Sequence, residues 1–234
     1  MSFMNYIGRK VLRFENPRVV SPPARVANVP LKNILVATPM RSGTHLMIDL
    51  ILNNIAEYRR TPLYTDFDAC CRQFDSSPHF LDELTGNSGT IIKTHFPITK
   101  HGLRFHEKLQ TLSESAIVIT VKRDKNQVFQ SRKKWDVMHT ANTSGDLTAD
   151  YERFWEFWGG SEDLCADFTD LFDKDAASGL VQRIRALTEC DSNASKYRHL
   201  APERRSHAIY INKALTRLIG RYAPRIDTTI HTKK

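Results

Sequence analysis

The chain has 234 residues, 41% of them apolar, which suffices for one core-bearing domain or one domain with appendages. Its 34 Lys and Arg against 26 Asp and Glu leave a formal charge of +8, which favours an anionic partner such as a nucleotide. Many soluble proteins are this basic, so nucleic acid is not the expected partner. The cysteines Cys70, Cys71, Cys165 and Cys190 fit neither a zinc framework nor the disulfide scaffold of a small secreted domain, and free thiols in a reducing, cytoplasmic setting are expected.

Residues 1–32 read as an arm and linker. The stretch MSFMNYIGRKVLRFENPRVV breaks its apolar residues with Gly8, Arg9, Lys10 and Arg13, so it holds neither a signal-peptide core nor the length of a membrane span. A basic amphipathic segment at a membrane surface is the alternative reading of this arm. Residues 33–190 form the expected core. Ile34 to Ala37 is a short run of buried-strand type, and after the turn TPMRSGTH the residues Leu46, Met47, Leu50, Ile51 and Ile55 recur at helical spacing.

Two more β-branched runs follow, Gly89 to His95 and Ser115 to Arg123, with a helical segment, LRFHEKLQTLS, between them. Asp124 suits the N-cap of the next helix. The aromatic-rich helix DYERFWEFWGG ends at Gly159-Gly160, and its Phe154, Trp155, Phe157 and Trp158 read as core or pocket wall. Leu164 to Phe168 suits another strand, and Ala176 to Thr188 a helix with Leu180, Val181, Ile184 and Leu187 on one face. Residues 191–234 are expected to pack on the same domain as a helical tail, with a helix from Pro202 to about Tyr222. The alternation predicts a single α/β domain, a central, mainly parallel sheet with helices on both faces.

Such sheets bind ligands at the carboxyl ends of their strands. Three polar clusters fall there: Arg41-Ser42-Gly43-Thr44, Lys93-Thr94-His95, and Arg123. At the first, Gly43 permits a tight turn and the following helix offers its N–H groups and positive dipole end, which makes an anion site. Arg41 adds a forked cation, and Ser42 and Thr44 add hydroxyls. The nucleoside triphosphate loop G-x-x-x-x-G-K-[ST] does not fit, because Thr38 stands where its first glycine belongs and Thr44 where its lysine does.

With the basic residue ahead of the glycine, PMRSGTHL resembles the 5′-phosphosulfate loop of sulfotransferases that use 3′-phosphoadenosine 5′-phosphosulfate (PAPS). KTHFP, Lys93 to Pro97, resembles that family's K-T-H-[LF]-P element, whose histidine is the catalytic base. VKRDKNQVFQS resembles its 3′-phosphate element, with Arg123 and Ser131 at the family's spacing. FTDL, Phe168 to Leu171, is similar to the family's Y-E-D-L. Gln127 stands in place of an aspartate, and the family's C-terminal R-K-G-x-x-G-D-W-K element is missing; the basic SKYRHLAPERR is an alternative clamp.

The resemblance implies a phosphate-loop, nucleotide-kinase-like sulfotransferase fold and transfer of a sulfuryl group from PAPS to a hydroxyl or amine acceptor, leaving 3′-phosphoadenosine 5′-phosphate (PAP). It assigns the donor site to Arg41, Ser42, Gly43, Thr44, His45, Arg123 and Ser131, and catalysis to His95, Lys93 and Arg41. The acceptor is expected to be a small molecule, carbohydrate or lipid, bound by the region from Tyr58 to Gly89. Two cations can serve where phosphoryl transfer uses magnesium, and no metal is expected. An ATP-dependent small-molecule or nucleotide kinase, and a non-catalytic nucleotide- or nucleic-acid-binding module, are the alternatives. His101, His106 and the run Arg132-Lys133-Lys134 read as solvated surface.

Overall fold

The computed structural model describes residues 31–58, 64–68, 89–97, 106–139, 146–190 and 197. The arm before Leu31, Cys70 and Cys71, His101, most of the expected acceptor region, the basic SKYRHLAPERR stretch apart from Tyr197, and the expected helix from Pro202 lie outside the described residues.

Strand β1 (Ile34–Ala37) leads through the predicted turn into α1 (Thr44–Asn54), and β2 (Thr65–Asp66) and β3 (Ile91–Thr94) follow. Next come α2 (His106–Ser115), β4 (Ile117–Lys122), α3 (Lys125–His139), α4 (Leu147–Trp158), β5 (Leu164–Asp167) and α5 (Lys174–Thr188). Short 3-10 turns occupy Ala56–Tyr58 and Thr169–Leu171. All four strand pairings are parallel, in the order β2-β3-β1-β4-β5. The sheet is therefore parallel throughout its described strands. Two-residue β2, inside the expected acceptor region, has no signal in the sequence. Ser115, expected in a strand, closes α2 instead: its hydroxyl donates to the Leu112 carbonyl and the Ala116 N–H bonds the same oxygen.

Every β1 side chain is fully buried, because this strand has a neighbour on each edge and helices over each face; its apolar run is continuous for that reason. Alternate residues serve two cores. Ile34, Val36, Ile119 and Val121 pack with Met47 and Ile51 of α1 and Leu180 and Ile184 of α5. Leu35, Ala37, Ile92 and Val118 pack on the other face with Leu109 and Leu112 of α2 and Phe154 and Trp158 of α4. Full burial of one such aliphatic side chain is worth roughly 1.5–3 kcal/mol, so the two faces hold the strand ends firmly in register.

Helix starts obey the sequence. Asp124 accepts from the Gln127 N–H, Asp146 from Thr148 and Ala149, and Asp173 from Asp175 and Ala176, so α3, α4 and α5 are capped by aspartate. Cys165 is exposed and Cys190 buried, both as free thiols. No helix among the described residues is long and apolar enough to cross a membrane.

Candidate functional site

Strand order reverses at β1: the chain passes to β2 and β3 on one side of it and to β4 and β5 on the other. The loop after β1 therefore sits where parallel sheets of this kind bind ligands. Arg41 and Gly43 both adopt left-handed backbone conformations, with φ of 72° and 100°. Gly43 is required twice, because a Cβ there would also lie 2.9 Å from Phe168 and 3.3 Å from Leu171. The FTDL segment is thus packed directly against the glycine of the turn.

The start of α1 differs from the other helix starts. Gly43 offers no side-chain cap and the first turn holds no acidic residue, so nothing there neutralises the positive end of the helix dipole. Ser42 is fully buried and its Oγ has no hydrogen-bond partner. A buried hydroxyl left unmatched requires an explanation, and a bound oxyanion beside the loop supplies one. The Thr44 hydroxyl is hydrogen-bonded to that of Thr38, which ties the first residue of α1 to the end of β1. His45 meets the Tyr64 hydroxyl through Nε2 at 3.1 Å, with the two rings edge to face. That contact gives His45 a packing role beside the loop.

Arg41, Arg123 and Ser131 converge. Arg41 Nε donates to Ser131 Oγ at 3.2 Å, and Arg123 Nη1 donates to the Arg41 carbonyl at 2.7 Å. The Arg123 guanidinium lies 3.9 Å from the centre of the Phe168 ring, and its Nε points to Gln127 Oε1 at 3.4 Å. Gln127 therefore makes, as a neutral acceptor, a contact to Arg123 from one helical turn on. Partial burial lowers the Arg123 pKa and the Asp124 carboxylate raises it, the burial being the stronger influence. Tyr151 of α4 donates its hydroxyl to the Arg123 carbonyl, joining α4 to the end of β4.

His95 stands just past β3. Its Nδ1 lies 2.8 Å from the Thr38 carbonyl, an oxygen that only accepts, so Nδ1 carries the proton and Nε2 the lone pair in the neutral ring. Asp68 holds this corner from below: one carboxylate oxygen accepts the Thr94 hydroxyl at 2.7 Å and the other the His95 N–H at 2.8 Å. Lys93 is placed otherwise, buried at register with Val36, on the face of the sheet covered by α1.

An open cleft adjoins His95. Pro39, Pro97, Val128, Phe129, Leu147 and Phe154 supply apolar lining, and the space measures about 350 Å³ with solvent at its mouth included. Arg132 and Asp150 also line it, paired at 3.7 Å with each side chain 9% exposed. The expectation of a solvated Arg132 is thus corrected. Arg132 follows Val128 by one helical turn and turns inward with it, whereas Lys133 is exposed. His106, expected on the surface, packs its ring edge-on against Phe96 and Phe157.

Asp68, Asp150 and Tyr151 carried no motif signal. Asp68 lies in a stretch without periodicity, and the latter two were absorbed into an aromatic helix. Protein-family models, curated proteins and solved structures yield no match to this chain.

Proposed function

We propose that the chain is a sulfotransferase that takes PAPS as donor and transfers its sulfuryl group to a hydroxyl compound. The observation that carries this reading is the convergence of Arg41, Arg123 and Ser131 at an uncapped helix start whose loop holds the buried, unmatched Ser42 hydroxyl. A donor phosphorylated at both ends needs two anion sites close together. The Gly43 turn and the α1 N–H groups suit the 5′ end, and Arg123 with Ser131 suits the 3′-phosphate.

When bound, the donor supplies a sulfuryl group activated by its link to phosphate. His95, with its lone pair on Nε2, removes the acceptor proton as the acceptor oxygen bonds to sulfur; the bond from sulfur to the phosphate oxygen breaks, and its electron pair leaves on PAP. Arg41 and Lys93 bring positive charge to the side of the site where negative charge grows. Thr38 and Asp68 fix the His95 tautomer and backbone, so the base is oriented before substrate arrives.

The test is calorimetry of the full chain with PAP and with adenosine 5′-monophosphate. PAP is expected to bind at least about tenfold more tightly, from the charge-assisted hydrogen bonds to its extra phosphate. Equal and weak binding of the two removes the donor-site assignment.

A further inference from the structure

The cleft beside His95 has a charge pattern that the donor site does not explain. Arg132 and Asp150 face each other within it, and their charges sum to zero. Arg132 Nε is buried and has no hydrogen-bond partner. The remaining walls are apolar, with Val128, Phe129 and Phe154 on one side and Pro39 and Pro97 on the other. His95 lines the same space.

We infer that this cleft selects the second substrate, and that the substrate is a small, uncharged, largely apolar or aromatic hydroxy compound bearing a carbonyl or similar oxygen, which accepts the Arg132 Nε–H. This rests on the sulfotransferase reading for the chemistry at His95, though the binding it describes is independent of that reading. The walls favour a flat or apolar body. The opposed charges disfavour an ionic one: a carboxylate drawn to Arg132 also meets Asp150, and an ammonium drawn to Asp150 also meets Arg132. One unmatched N–H asks for one neutral acceptor, and a site built to donate it discriminates against analogues that lack the oxygen. The volume, about 350 Å³ with its mouth, suits a small molecule; it does not suit a polymer chain.

Arg132 is thus a specificity residue, and Asp150 positions it. Three phenols of similar size separate the possibilities: 4-hydroxyacetophenone, 4-ethylphenol and 4-hydroxybenzoate. Each is titrated into the full chain without nucleotide and again with saturating PAP. The ketone is expected to bind roughly tenfold more tightly than either other compound, the margin of one hydrogen bond that is otherwise left unmade. Arg132→Lys keeps a cation opposite Asp150 but removes the Nε–H, and it is expected to abolish that preference while leaving the melting temperature and PAP binding near wild type. Equal binding of the ketone and the ethyl compound, preference for the carboxylate, or an unchanged preference in Arg132→Lys overturns the proposal. Because the first titration contains no nucleotide, a failure of the donor reading leaves this result standing on its own.

Discussion

Arg123 donates from Nη1 to the backbone carbonyl of Arg41 at 2.7 Å, so a side chain at the end of β4 holds the left-handed residue of the loop after β1. The same guanidinium stacks on Phe168, whose ring presses against Gly43. One cation thereby braces the loop from two directions.

Replacing Arg123 tests that brace together with its proposed role toward the 3′-phosphate. Arg123→Ala is expected to weaken PAP binding by about 10- to 100-fold, as loss of a charge-assisted hydrogen-bonding group implies, and to weaken adenosine 5′-monophosphate binding far less. Arg123→Lys recovers only part of this, because an ammonium cannot present two parallel donors or stack flat on Phe168. Calorimetry of both variants with both nucleotides reads the difference.

Gly43→Ala meets a conformational and a steric penalty at once. The positive φ costs an alanine about 1–2 kcal/mol, and the contact with Phe168 adds about 1–3 kcal/mol of overpacking. A loss of about 2–4 kcal/mol in unfolding free energy is expected, measured by urea denaturation. In the double variant Gly43→Ala/Phe168→Ala the steric part is relieved relative to the two single changes, and a strictly additive loss argues against the packing account.

His95→Ala removes the proposed base without touching the α1 start. Turnover should fall by roughly 10²–10⁴-fold while PAP affinity changes less than about twofold. Single-turnover assays with an active acceptor, paired with nucleotide titration, separate these; a matching collapse of PAP affinity makes His95 a structural residue of the loop.

Asp68 is expected to act through His95. In Asp68→Ala the buried Thr94 hydroxyl and the His95 N–H lose their acceptors, at about 1–3 kcal/mol for each group left unmatched. Stability should therefore drop by about 2–4 kcal/mol, and kcat should fall with little change in KM for the donor. Asp68→Asn retains one acceptor oxygen and should recover part of both, which a purely packing role for this side chain does not produce.

Three of the four polar clusters could be read along the chain because each depends on local order. A β-branched run of four to six residues makes a buried strand, a glycine after a basic residue makes the turn, and Asp124 caps the helix that begins at Lys125. Ser131 was found by spacing alone, and its partner proved to be Arg41, 90 residues earlier. Arg132 misled because Arg-Lys-Lys reads as a solvated run, while the register of α3 against α4 turns the first of the three inward onto Asp150.

By itself the sequence determined the alternation of strands and helices, the parallel sheet, and the positions of Gly43, His95 and Arg123 at strand ends, since backbone propensity and side-chain periodicity act over a few residues. Only the tertiary structure decided that Phe168 fills the space over Gly43, that Thr38 sets the His95 tautomer, that Asp68 supports this histidine, and that Arg132 and Asp150 form a neutral buried pair. Each of these depends on which strands are neighbours and how helices cross them, and that is set by the burial of whole faces, which no short stretch of chain encodes.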